Sequence, residues 1–174
     1  MSWPNFFTFL RLLLTPLLTI FFINHHFTLA TFVFLLAGVT DALDGFLARR
    51  LNQKSRLGAC LDPIADKILL STSFVLLSWG GYIPSWLAVV VLSRDIFILL
   101  GALLLFLFDV SFEVKPSLLG KLTTLTQIIT ILAVLINIQW PYLYLLRQIL
   151  FYLTLGLTLA SGLQYTLKGY QMFR

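Results

Sequence analysis

The chain holds seven acidic residues, and four of them fall in the stretch DALDGFLARRLNQKSRLGACLDPIAD, from Asp41 to Asp66. Asp41 and Asp44 are three residues apart, and Asp62 and Asp66 are four apart. Either spacing puts both carboxylates of a pair on one helix face, a turn apart. Between the pairs lie Gly45, Ala48 and Gly58, small enough to let backbones and a ligand approach. Four clustered carboxylates cannot all stay ionised and unpaired where the dielectric is low. Arg or Lys side chains can neutralise them, and so can divalent cations. Oxygen-only ligands select hard ions such as Mg²⁺ or Mn²⁺, and four carboxylates suit two of them. Two such ions clamp phosphate oxygens during phosphoryl transfer. Arg49, Arg50, Lys54 and Arg56 lie in the same stretch and suit a phosphate-bearing substrate. The blander alternative is a set of helix-end carboxylates paired with these neighbouring cations.

The elements that position the cluster follow from composition. Of the 174 residues 59% are hydrophobic and 11% charged. Mean hydropathy is +0.95. Soluble domains carry about 25% charged residues, so the implied solvent is lipid. Six apolar runs are long enough for spanning helices: Phe6 to Ile23, Leu29 to Leu47, Ile64 to Trp79, Trp86 to Phe108, Leu118 to Ile138 and Tyr144 to Leu167. Helix is the available choice, because an unpaired strand edge is not tolerated in hydrocarbon. The expectation is a single all-α integral membrane domain over residues 1–174.

Lys and Arg collect in the loop after the second run (Arg49, Arg50, Lys54, Arg56), around Lys115 and Lys121, and at the C-terminus with Lys168 and Arg174. The loops around His25, Gly81 and Gln139 contain neither. Both termini and the acidic stretch are therefore expected to face the cytoplasm, in a bacterial inner membrane. The net charge of +5 is assigned to these loops and to anionic lipid, not to nucleic acid. The lone Cys60 cannot form an internal disulfide. The first run carries Arg11 and no small-residue cleavage site, unlike a secretory leader. His25 and His26 are read as outer-interface residues, and Trp140, Tyr142, Tyr144 and Tyr165 as interface anchors. Arg147 is read as a snorkelling or structural residue.

The acidic stretch resembles the signature of the CDP-alcohol phosphotransferase family, D-x2-D-G-x2-A-R-x8-G-x3-D-x3-D. Asp41, Asp44, Gly45, Ala48, Arg49, Gly58, Asp62 and Asp66 match it with every gap correct. The resemblance implies six transmembrane helices around a cytoplasm-facing polar cavity, and a homodimer. It implies transfer of a phosphoalkyl group from a CDP-linked donor to an acceptor hydroxyl, with release of CMP. Carried over, Asp41, Asp44, Asp62 and Asp66 bind two divalent ions, and Asp66 also acts as base. Asn5, Gly45, Ala48, Arg49, Ser55 and Gly58 fall to the donor site.

The N-terminal PNFFTFLRLLLTP, the pair Arg94-Asp95 and the stretch GKLTTLTQ from Gly120 resemble two branches of that family. These are the phosphatidylglycerophosphate synthases and the cardiolipin synthases that use CDP-diacylglycerol. The acceptor is glycerol 3-phosphate in the first and phosphatidylglycerol in the second. Glycerol 3-phosphate is a small dianion, and Arg94, Lys121, Lys115 and Arg56 are the candidate cations for it. Arg94 and Asp95 are adjacent on a helix, face different ways and need not pair with each other. Two departures favour the cardiolipin branch. The first branch usually has Arg-Glu at 94–95 and a second Arg at the place of Ala102, and Lys115-Pro116 also looks like the second. Glycerol 3-phosphate is the leading reading and phosphatidylglycerol the alternative. A cation transporter is the rival of another class. It is disfavoured because the carboxylates cluster at one face and the chain shows no pair of related halves.

Overall fold

The computed structural model describes residues 3–51, 56–107, 117–139 and 144–172, with side chains over 9–40, 65–101, 117–139 and 144–167. Six helices follow one another: α1 (Trp3–Ile23), α2 (Phe27–Leu51), α3 (Arg56–Trp79), α4 (Ser85–Leu107), α5 (Leu118–Gln139) and α6 (Tyr144–Met172). No strand occurs among the described residues. Two stretches, Leu118–Gln139 and Tyr144–Leu167, are long and apolar enough by composition to cross a membrane.

The distribution of side chains is inverted relative to a soluble bundle. Phe32, Phe97, Leu145, Leu163 and Leu167 are among the most exposed residues. Arg11, Thr123, Gln127, Thr130, Thr154 and Thr158 are buried. Soluble monomers rarely expose continuous apolar surface on this scale. Small hydroxylated residues between helices are the packing chemistry of bundles in lipid.

α1 packs against α2 and α3, α5 against α6 and α2, and α4 against α6 and α3. Named bonds set the register. Thr130 and Thr154 hydroxyls meet at 2.8 Å, and Thr123 Oγ1 lies 3.1 Å from the Leu157 carbonyl, joining α5 to α6. The Gln139 amide accepts from Thr28 Oγ1 at 3.0 Å and donates to Thr31 Oγ1 at 3.1 Å, joining α5 to α2.

The ends that meet at the α1–α2 and α3–α4 turns form one closed face. Phe22, Phe27 and Tyr82 stack edge-to-face there, with centroids 5.5 to 6.1 Å apart. Both turns end a helix in the same way. His26 N–H bonds Phe21 O at 2.8 Å and His25 N–H bonds Phe22 O at 3.0 Å. Tyr82 N–H bonds Leu77 O at 2.9 Å and Gly81 N–H bonds Ser78 O at 3.0 Å. This paired pattern is a Schellman cap, which needs a left-handed residue. Gly81 supplies it at φ 74° and His25 at φ 59°. The space at Gly80 is filled by the Tyr82 ring, 2.7 Å from where a Cβ would stand.

Below this face lies an apolar core that includes Leu18, Phe22, Phe34, Phe74, Leu77 and Ile131. A small apolar recess of about 10 Å³ lies beside Leu18, Ser73 and Leu135. Ser73 and Asn137 are buried at this end, and the other buried polar side chains lie farther from the face.

Candidate active site

The helices that carry the acidic stretch are longer than their apolar runs. α2 continues beyond Leu47 to Leu51, and α3 starts at Arg56, ahead of Ile64. Arg49, Arg50 and Arg56 therefore belong to helices and not to a connecting loop. Hydropathy marks only the part of a helix that meets lipid. The Ala, Leu and Arg residues beyond it are good helix formers in water. Backbone positions 41, 44, 45, 48 and 49 lie on α2, and 58, 62 and 66 on α3. Residues 52–55 join them, so Leu51 and Arg56 are at most about 17 Å apart.

The side chains of Asn5, Asp41, Asp44, Gly45, Ala48, Arg49, Arg56, Gly58, Asp62 and Ala102 lie outside the described residues, as do Ser55, Lys115, Trp140 and Tyr142 altogether. Among the described residues, no group of three His, Cys, Asp or Glu side chains stands together. The donor set of the stretch is nevertheless all oxygen, carried at 41 and 44 on one helix and 62 and 66 on the next. That chemistry fits a hard divalent ion.

Asp66 is half-buried and directly follows Ala65, which is fully buried. Measured along their helices, Arg11, Asp66, Gln127 and Thr158 stand about 18–21 Å from the closed face, taking about 1.5 Å per residue. They occupy one level. Arg11 is the largest fully buried side chain in this part of α1.

A bonded cluster starts from Lys67, the residue after Asp66. Lys67 Nζ donates to Asp95 Oδ1 at 2.7 Å, and Arg94 Nη1 donates to the same oxygen at 2.7 Å. Arg94 Nη2 donates to Ser161 Oγ at 2.7 Å. The Tyr165 ring lies 5.8 Å from the Arg94 guanidinium, and its hydroxyl accepts from Ser117 N–H at 3.4 Å. Ser117 caps α5, its Oγ accepting from Gly120 N–H at 3.0 Å. A Cβ at Gly120 would stand 3.0 Å from the Tyr165 hydroxyl. So α3, α4, α6 and the start of α5 converge on one guanidinium.

Two expectations need correcting. Arg94 and Asp95 do pair, although neighbouring helix positions diverge by about 100°. Arg94 is 7% exposed and Asp95 4%, so neither can turn to water. The long Arg side chain bends back onto the nearest carboxylate. Tyr165 is not simply an interface anchor, because its hydroxyl and ring are committed to Ser117 and Arg94. Tyr144 is exposed, as an anchor should be, and Arg147 rests against the Tyr144 and Phe151 rings. Lys121 is exposed, a residue beyond Gly120.

The sequence profile described as CDP-alcohol phosphatidyltransferase matches residues 1–160. The chain belongs to the CDP-alcohol phosphatidyltransferase family. A CDP-diacylglycerol–glycerol-3-phosphate 3-phosphatidyltransferase of Aquifex aeolicus is 36% identical, over 99% of this chain and 98% of its own. The Bacillus subtilis protein of the same description is 31% identical, over 82% and 74%. A cardiolipin synthase (CMP-forming) of Homo sapiens is 36% identical, over 93% of this chain and 60% of its own.

Within this transferase fold, Lys67, Ser161 and Tyr165 are cluster members that motif reading passed over. One signal was available. Thr154, Thr158, Ser161 and Tyr165 recur at steps of four, three and four along an otherwise apolar α6. That is one polar stripe facing the bundle.

Proposed function

We propose that the protein transfers the phosphatidyl group of CDP-diacylglycerol to glycerol 3-phosphate and releases CMP, as a phosphatidylglycerophosphate synthase. The observation that carries the acceptor is Arg94, a buried guanidinium held by Asp95 and Ser161. A buried, pre-set guanidinium is suited to a small phosphate-bearing acceptor. Arg94, Lys121, Lys115 and Arg56 form the acceptor set in this reading. Asn5, Gly45, Ala48, Arg49, Ser55 and Gly58 form the donor set.

Asp41, Asp44, Asp62 and Asp66 would hold two Mg²⁺ or Mn²⁺ ions, which would offset charge on the diphosphate and on the departing CMP. The acceptor hydroxyl oxygen attacks the phosphorus that bears the diacylglycerol. The bond from that phosphorus to the CMP oxygen breaks as the new bond forms. Asp66 takes the hydroxyl proton. The chain acts as one domain of six membrane-spanning helices, with the site and both termini at the cytoplasmic side of a bacterial inner membrane. Its apolar exterior supports a membrane placement. A homodimer is the assembly expected from the family.

Phosphatidylglycerol is the second reading, favoured by the Arg94-Asp95 pair and by Ala102. CMP release by purified protein in nanodiscs, with CDP-diacylglycerol and Mn²⁺, separates the two. Release that requires glycerol 3-phosphate and stops with a chelator is the expected result. Release with phosphatidylglycerol alone makes the protein a cardiolipin synthase.

A further inference from the structure

We infer that Lys67 is a second ligand for the acceptor phosphate and that Asp95 is the positioning residue that aims it. The inference rests on the acceptor reading above and adds residues that reading does not use. The Lys67 ammonium and the Arg94 guanidinium meet on one carboxylate oxygen, each at 2.7 Å. Two cations on one carboxylate leave the trio with one positive charge. The trio is poorly hydrated: Asp95 and Arg94 side chains are 5% and 7% exposed. An anion that reached the trio would meet this charge where Asp95 and Arg94 are shielded from water.

The free bonding capacity points the same way. Lys67 has three N–H donors and spends one on Asp95. Its side chain is 25% exposed, the most open of the three. Arg94 Nε and Asp95 Oδ2 are buried without a hydrogen-bond partner. The trio can therefore offer an incoming phosphate two ammonium N–H groups and a guanidinium edge.

Sequence position adds the reason this matters. Lys67 directly follows Asp66 on α3, so the two share a level of that helix, although their side chains leave its axis about 100° apart. Asp95 touches neither acceptor phosphorus nor metal in this scheme. It acts through Lys67 and Arg94 by fixing two flexible cations at one point before the acceptor arrives. Pre-setting removes an ordering cost from acceptor binding, so Asp95 belongs to acceptor KM and not to donor KM.

The test is steady-state CMP release against glycerol 3-phosphate and CDP-diacylglycerol, for wild type, Lys67→Met, Lys67→Gln, Asp95→Asn and Asp95→Glu, with melting temperatures and Mn²⁺ activation measured alongside. Lys67→Met and Lys67→Gln should each raise KM for glycerol 3-phosphate about tenfold or more, the loss of one charge-assisted bond. KM for CDP-diacylglycerol and the Mn²⁺ requirement should stay as in wild type. Asp95→Asn should raise the same KM, and Asp95→Glu should recover part of it. A lowered melting temperature with unchanged acceptor KM would make the trio a helix tie and overturn the inference. A changed Mn²⁺ requirement in the Lys67 variants would mean that Lys67 acts through Asp66, and would also overturn it. Wild type that ignores glycerol 3-phosphate sinks the acceptor reading itself, which is visible before any variant is measured.

Discussion

In the proposed reaction Asp66 helps hold a cation and takes a proton; it is half-buried, while the residue before it is closed off completely. Removing its charge while keeping its shape should leave the bundle intact. Asp66→Asn should lower CMP release by about 10²–10⁴-fold with an unchanged melting temperature, and calorimetry plus the nanodisc assay checks both. The four aspartates stand out by spacing alone, as paired carboxylates at helical intervals in so apolar a chain; of their side chains, that of Asp66 alone is among the described residues. The trio of Lys67, Arg94 and Asp95 was not legible. Its partners lie 28 positions apart, and adjacency argued against the bond between Arg94 and Asp95. A buried guanidinium overrides that geometric preference because no solvent competes for it. Sequence reading singled out both residues on α4 and left open the bond that joins them.

Helix positions were readable to within a few residues wherever lipid contact ends with the helix, as at Ile23, Trp79 and Leu118. They were misjudged where a helix outruns the hydrocarbon, at Leu51 and Arg56. The caps offer a sharper test at this scale. His25 and Gly81 hold the same left-handed position in the same hydrogen-bond pattern, one with a Cβ and one without. A non-glycine residue pays about 1–2 kcal/mol there. His25→Gly should therefore stabilise the protein, and Gly81→Ala, with open space around it, should destabilise it by about 1 kcal/mol. Unfolding midpoints in mixed micelles decide this. Equal and small effects would mean that the helix reversals are not under backbone strain. Histidine gave no sign of this in the sequence, since its exposed ring suggested only an interface residue.

At the scale of the whole molecule, the bundle is divided along its length. The end at the closed face is packed chiefly with aliphatic and aromatic side chains, Arg94 and Asp95 lie near the middle of α4, and Arg11, Asp66 and Lys67 lie farther from that face. Composition indicated lipid and six runs indicated six helices, but the division appears only when the runs are laid antiparallel and their polar members fall to one level. The closed face also has an electrical meaning. The described carboxylates, Asp66 and Asp95, stand well back from it, so in the proposed reaction the acceptor proton, the nucleotide and the other charged groups are expected to enter and leave through one aqueous phase. No net charge then crosses the membrane field in a catalytic cycle, so a field has nothing to work on. Proteoliposomes carrying an imposed potassium-diffusion potential should make product at the same rate as unpolarised ones. A rate that rises or falls with the sign of the potential would show that charge moves through the core described here as closed.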